Sequence, residues 1–563
     1  MSRKKTPVSI SEVASAKNWS AADSWILGGL FFVAALIAYR VIKAQPYLDD
    51  DAYIFLRYAR NLLQYGQFAY NEGEFSYGFT SMLWLLLISG ISGLTGISVM
   101  AGLKILSVLS FAAMIALMYV ACLGLTGRRS ASLAGTALLM LLPVSVEYSV
   151  SGMETPMVVC GLLAVIAMET SRKSGSAIWI GCAAGGLIWI RPELVLVFPV
   201  WMVVRLMQEM HGRLLNGLEG AGSHQTGRVQ RDFLRSITGF TLIAAPYFGF
   251  WQIMNNRLIP MTYMGKLLSA NPTWHDLSYT ERILSGIRIF LRGWGNLITQ
   301  DRVGTAVLLI LASGLICGIP VFLQLQRKMF PKLTFSLLIS VTIISAYWFS
   351  YPISHLRYGF WLLPVSLMVI VSTYSECVTL AQSIVPPGGY RLFRRIFRIV
   401  LPVLFCIVIG IETMTLIDGR TEKNQSFAGD VIVNNLEWFE KNIPKNQKVA
   451  FDMIGHFSYL LDRPIFDLGG LIHPQIWPAL KKRRDANTAL DILQESQVLY
   501  LVSYSKHILW AHLPQKAAHR LQLIDKRGDQ KSGTIAIYRI LSKPKEPLHS
   551  ADTKAIGILM QSE

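Results

Sequence analysis

A helix needs about 20 apolar residues to cross the hydrocarbon core of a bilayer, and this chain supplies such runs repeatedly. They lie at roughly 25–43, 99–125, 131–148, 153–170, 175–190, 193–208, 236–253, 303–325, 333–350, 358–380 and 399–416. Backbone polar groups in lipid must be satisfied within their own segment, so runs of this kind fold as helices. The fold class is therefore an α-helical polytopic membrane protein with about 11 transmembrane helices. A composition of 52% hydrophobic and 16% charged residues, with mean hydropathy +0.41, is too apolar for a soluble enzyme of 563 residues.

The formal net charge of +18 invites a nucleic-acid reading. The basic residues, however, collect in short segments between apolar runs, as cytoplasmic loops do, and nucleic acid is not an expected partner. Arg3, Lys4, Lys5 and Lys17 precede the first run without a small-residue cleavage site, so that run reads as a retained anchor. The run 79–95 is also apolar. If it crossed, every later basic loop, including Arg128-Arg129, Arg172-Lys173 and 209–235, would move to the side opposite the N-terminus. Residues 45–97 are therefore read as one large outer loop carrying two helices along the membrane surface, about 50–65 and 79–95. This gives a cytoplasmic N-terminus at 1–24, a transmembrane domain at 25–416 and an extracytoplasmic C-terminal domain at 417–563.

After residue 417 the composition turns polar. Short β-like runs at 448–452, 464–467, 498–502, 521–524 and 534–540 alternate with helix-like stretches such as 428–442 and 485–494, which suggests a soluble α/β domain. All six cysteines, Cys122, Cys160, Cys182, Cys317, Cys377 and Cys406, lie in apolar runs without metal-ligand spacing and read as buried thiols.

The polar residues that could carry chemistry gather at the outer ends of the spans. Asp49-Asp50-Asp51 follows the first span. On a helix, Asp50, Tyr53, Arg57 and Tyr58 share a face. A carboxylate beside a guanidinium at a membrane surface suits general-base work on a hydroxyl near an anionic lipid head group. The plainer alternative is a solvated acidic loop that ends a span. Glu154 precedes Thr155-Pro156 at the start of another span, where the helix dipole favours a carboxylate. Arg191, Lys266 and Arg357, the last beside His355, are cations on the side expected to be outer, and a phosphate there needs such groups. Each taken singly also suits a snorkelling anchor. In the C-terminal domain, Asp452 and Asp467 follow strand-like runs, where ligands of α/β sheets gather and where turn residues also sit.

Asp50-Asp51-Ala52-Tyr53-Ile54 with Arg57-Tyr58-Ala59-Arg60-Asn61, Tyr70-Asn71-Glu72-Gly73-Glu74 and Gly78-Phe79-Thr80-Ser81-Met82-Leu83-Trp84 resemble the first outer loop of GT-C glycosyltransferases. The nearest resemblance is to the mycobacterial terminal β-arabinofuranosyltransferase group and its bacterial relatives. Gly152-Met153-Glu154-Thr155-Pro156, Arg191-Pro192-Glu193, Pro260 through Lys266, Arg357-Tyr358 and Asp467-Leu468-Gly469-Gly470-Leu471 recur in the same order, so the resemblance covers about 45 to 475. The chain departs from the group in having three aspartates in a row and Gly78-Phe79-Thr80 in place of Gly-Tyr-Thr. The resemblance implies a GT-C fold, a polyprenyl-phosphate-linked sugar donor, a glycan or glycolipid acceptor, and an active site at the outer face of a bacterial inner membrane. Carried onto this chain it makes Asp50 the base with Asp51 in support, leaving Asp49 as an alternative.

The expected assignments are then Asp50 and Asp51 as catalytic, Arg357, Lys266 and Arg191 for the donor phosphate, and Arg57, Tyr58, Glu154 and His355 for substrate. The donor arrives activated, so no cofactor is required; a divalent cation bridging phosphate and carboxylates is compatible with the residues but not demanded by them. The rival function is a lipid-linked sugar flippase or transporter, which calls for ionisable residues at mid-membrane depth. A non-catalytic scaffold is the third reading; it leaves the gathering of Asp50, Arg57 and the cations on one side unexplained.

Overall fold

The computed structural model describes residues 20–44, 48–170, 176–216, 224–258, short stretches between 260 and 372, and 432–541 with small gaps. The chain divides into two compact units, Met1–Gln425 and Ser426–Glu563.

The first unit is helical. Helix α1 spans Ala21–Ala44, α2 Asp50–Tyr65, α3 Met82–Thr95 and α4 Val99–Thr126, with a short hairpin of β1 (Ala69–Asn71) and β2 (Glu74–Phe75) between α2 and α3. Helices α5 (Arg129–Leu141), α6 (Pro143–Val150), α7 (Thr155–Thr170), α8 (Ser176–Ile190), α9 (Val197–Asn216) and α10 (His224–Asn255) follow. The expected single span 131–148 is thus two helices. Pro143 occupies the first turn of α6, where its missing N–H costs nothing but would break a continuous helix. At 28 residues α4 is about 42 Å long and crosses a bilayer with room to spare, whereas the 14 residues of α3 reach only about 21 Å.

Two sets of contacts fix the ends of this unit. At one, Asp23 on α1 receives Arg129 Nε at 2.6 Å and Nη2 at 2.7 Å, and the Tyr119 hydroxyl of α4 at 3.0 Å. At the other, Gly152 packs so tightly that a Cβ there would lie 3.2 Å from Leu48 and 3.1 Å from Leu103. The chain therefore leaves α1 and enters α4 at the same end, and residues 49–98 form an excursion that returns to its starting side. Glycines draw α8 and α10 together: a Cβ on Gly181 would meet the Ser236 carbonyl oxygen at 2.0 Å, and one on Gly239 the Ile178 carbonyl at 2.3 Å. Small residues let helix backbones approach in lipid, where apolar burial gives no drive to associate. Among the described residues, Cys122, Cys160 and Cys182 are free thiols.

The second unit is an α/β domain. Its strands β3 (Val449–Phe451), β4 (Ile465–Asp467), β5 (Tyr500–Tyr504), β6 (Leu521–Asp529) and β7 (Gly533–Ile540) form a sheet in the order β4-β3-β5-β7-β6. The three buried first strands run parallel, and β7 pairs antiparallel with β5 and β6. Helix α11 (Leu436–Asn442) and helix α12 (Ile454–Leu461) lie near the first strands, and the fully buried Arg463 donates to the Phe439 and Ile443 carbonyls at the end of α11. Burial lowers the pKa of that guanidinium.

Candidate active site

Three stretches singled out in the sequence meet at the Gly152 end. The Asp49 N–H donates to the Ser151 carbonyl at 3.0 Å, and the Trp84 indole N–H to the Gly152 carbonyl at 3.1 Å. Gly152 has φ +81°, and a Cβ on it would lie 2.9 Å from the Ala52 Cβ. Only glycine serves here, for both the left-handed backbone and the close approach. The small residue after the aspartates and the glycine before Glu154 are thus two halves of one contact. Asp49 is exposed, while Asp50 and Asp51 are half-buried in the first turn of α2, where the dipole favours carboxylates. Asp50 and Asp51 are open enough to meet a ligand.

Arg57 and Tyr58, expected to bind substrate, hold the segment that follows α2. Nearly every residue of α2 from Ala52 to Ala59 is buried, so the side chains after Asp51 face protein. Arg57 is 5% exposed and its Nε donates to the Tyr70 carbonyl at 3.0 Å; Asn61 donates to Ala69 and Tyr70 at 2.8 and 2.9 Å. The Tyr58 hydroxyl accepts the Gly78 N–H at 2.7 Å and pairs with Ser76 Oγ at 2.9 Å. Its ring meets Tyr70 and Phe79 edge-on. These residues clamp the hairpin and the 76–79 segment onto α2, and so place Ser81, whose hydroxyl caps α3 by accepting the Trp84 N–H at 3.3 Å.

Glu154 and Arg191, which the sequence left separate, form an ion pair between Glu154 Oε1 and Arg191 Nη1. Arg191 Nε also donates to Glu193 Oε1 at 2.7 Å, and the guanidinium lies 5.7 Å from the ring centre of Trp361. Glu154 is fully buried, and its Oε2 has no hydrogen-bond partner among the described residues. Arg191, expected to meet a phosphate, has its guanidinium set between two carboxylates. Lys266, His355 and Arg357 lie outside the described residues.

In the second unit, Asp467 is a loop organiser. Its carboxylate accepts the backbone N–H groups of Gly469 at 2.7 Å, Leu471 at 2.5 Å and Ile472 at 3.1 Å, while its own N–H donates to His473 Nδ1 at 3.0 Å. The motif Asp467 through Leu471 is thus held by its own first residue. Among the described residues no group of three or more His, Cys, Asp or Glu side chains could hold a metal ion.

The sequence reading missed Trp84 and Trp361 as partners, whereas an ion pair within Arg191-Pro192-Glu193 was its plainer reading of that motif. Trp84 stood inside a quoted motif, but only the fold shows where a tryptophan N–H points.

No curated protein matches the chain in sequence. A family model described as a domain of unknown function (DUF8728) matches residues 420–542. Among solved structures, the crystal structure of ArnT from Cupriavidus metallidurans bound to undecaprenyl phosphate is similar, with a TM-score of 0.56 and 13% identity over 94% of this chain and 100% of that one. The likeness is one of fold. The chain is a helical membrane protein that shares its fold with ArnT.

Proposed function

We propose that this protein is a membrane glycosyltransferase. It moves a sugar, arabinofuranose being the candidate that the motifs favour, from a polyprenyl-phosphate donor to a cell-envelope glycan or glycolipid acceptor. The reaction takes place at the outer face of a bacterial inner membrane, on the side that carries the Gly152 end. The observation that carries the reading is the meeting of residues 49–52 with Ser151 and Gly152, which brings the segment of half-buried Asp50 and Asp51 onto the loop that leads into buried Glu154. Support comes from the fold shared with ArnT, which was crystallised with undecaprenyl phosphate.

In this reading Asp50 takes the proton of the acceptor hydroxyl, with Asp51 in support. The acceptor oxygen bonds to the anomeric carbon as that carbon's bond to phosphate oxygen breaks, and polyprenyl phosphate leaves with the bonding electrons. Arg357 and Lys266 hold the departing phosphate. General-base assistance of this kind contributes about 10²- to 10⁴-fold. The ionised groups described here sit at the ends of helices rather than at mid-depth, which favours transfer over the flippase alternative.

The test is transfer from a panel of short-chain polyprenyl-phosphate sugars, arabinofuranose among them, by purified protein in lipid nanodiscs. Formation of a glycosylated acceptor supports the proposal; movement of intact donor between leaflets without transfer contradicts it. The sidedness is checked by cysteine labelling in outer-membrane-permeabilised cells. A cysteine at 220 should resist an impermeant reagent and one at 530 should react; the reverse pattern removes the outer-face assignment.

A further inference from the structure

We propose that Arg191 is a positioning residue, which holds one oxygen of Glu154 so that the other, Oε2, is left to accept a hydroxyl of the sugar substrate. The inference rests on the glycosyltransferase reading and gives this buried site its ligand chemistry.

The base of the guanidinium is rigid. Helix α8 is drawn against α10 by Gly181 and Gly239, and Leu187 packs where a Cβ on Gly161 of α7 would stand at 2.2 Å. The Arg191 N–H continues the helix by donating to the Leu187 carbonyl at 2.9 Å, and Pro192 then turns the chain. From this fixed stem the planar fork reaches two different carboxylates, Glu154 through Nη1 and Glu193 through Nε, with Trp361 against its face. Lysine cannot reproduce that geometry, because it offers a point charge rather than a fork.

The charges decide what such a group can bind. Among the described residues the guanidinium is shared between two carboxylates, a formal charge of −1 for the three groups, which does not favour a phosphate. An ionised carboxylate accepts hydrogen bonds and donates none. Glu154 Oε2 is enclosed and unpartnered among the described residues, and a buried acceptor left so is costly unless a ligand or water completes it. A lone carboxylate oxygen takes a hydrogen-bond donor, and the donors that the sugar of a glycosyl transfer brings are its hydroxyls. Entry to Oε2 calls for a local opening, and the packing of Ala52 on Gly152 puts the aspartate segment at that door.

The experiment pairs variants with substrates lacking one hydroxyl each, on the full chain in nanodiscs. In the unaltered protein one deoxy sugar should turn over about 10- to 100-fold less efficiently than its parent, the range set by a hydrogen bond to a charged group. In Glu154→Gln, Arg191→Gln and Arg191→Lys that penalty should shrink towards unity, with Arg191→Lys intermediate. A phosphate role for Arg191 predicts a raised donor KM with the deoxy penalty unchanged, and that result overturns the proposal. So does a deoxy penalty absent from the unaltered protein, which would leave Oε2 to an ordered water.

A second readout needs no turnover and separates failure of this inference from failure of the enzyme reading. Melting temperatures of Glu154→Gln, Arg191→Gln and the double variant should be strongly non-additive, with the double variant more stable than Arg191→Gln alone, because removing the guanidinium strands a buried carboxylate. Additive losses would mean that no clamp exists, whatever the transfer assay shows.

Discussion

The two ends of the helical unit hold the same kind of ion pair and use it differently. At the Asp23 end the carboxylate is saturated. Both oxygens receive Arg129, one also takes the Tyr119 hydroxyl, and the other takes Ser20 through its N–H at 2.9 Å and its hydroxyl at 2.7 Å. At the Gly152 end Arg191 is divided between Glu154 and Glu193, and Glu154 keeps an oxygen that nothing described here satisfies. The first arrangement ties α1, α4 and α5 together and leaves no capacity for a ligand. The second leaves acceptor capacity on a carboxylate just after the loop that residues 49–52 pack against. A saturated pair reads as architecture, and an unsaturated pair in a built site reads as function.

The sharpest break of this contrast is Asp50→Asn, which should lower transfer by about 10²- to 10⁴-fold while insertion and melting stay near normal. Turnover close to the parent would transfer the base role to Asp49 or Asp51. Gly152→Val comes next. It forces a β-branched residue into φ +81° and a Cβ 2.9 Å from Ala52, at an expected cost of about 2–4 kcal/mol from backbone strain and overpacking. Transfer and thermal stability should fall together, and an unaffected melt would show that residues 49–52 do not pack on this loop.

How far these features were legible in the sequence depends on what made them. The strands and α13 (Ala486–Glu495) of the C-terminal domain were visible because alternation and capping are local: Asp485 accepts the Thr488 N–H at 2.7 Å, as a residue before a helix should. The two helices of the 45–97 stretch were expected at about 50–65 and 79–95 and are Asp50–Tyr65 and Met82–Thr95, the second starting late because Ser81 is the cap. The break at Pro143 was missed because 131–148 was read by its overall apolar length, without weight given to the proline inside it. Arg57 and Tyr58 were assigned to substrate because helical spacing reveals a face but not what covers it, and a hairpin 13 residues on covers this one. The Glu154–Arg191 pair spans 37 residues and two helices, which no local pattern encodes.

A smaller effect separates clamp from chemistry. Tyr58→Phe removes the acceptor of the Gly78 N–H and the partner of Ser76, and should cost about 1–3 kcal/mol of stability. The folded fraction should still transfer sugar with an unchanged KM for either substrate; a raised KM would return Tyr58 to the binding residues. Smallest of all on transfer is Asp23→Asn. It should lower the melting temperature, because Arg129 and Tyr119 lose their shared partner, yet leave turnover per folded molecule unchanged. A loss of turnover at constant stability would erase the distinction between the two ends.

The most direct measurement asks which end of the bundle meets the donor. A short-chain polyprenyl-phosphate sugar carrying a photoreactive group beside the phosphate is bound to the full chain in nanodiscs, irradiated, and its attachment sites are mapped by peptide mass spectrometry. The account predicts competition by unmodified donor and labelling in segments at the Gly152 end, around 48–58, 100–104 and 151–157. Labelling concentrated instead around 20–25 and 119–132, at the Asp23 end, would contradict it.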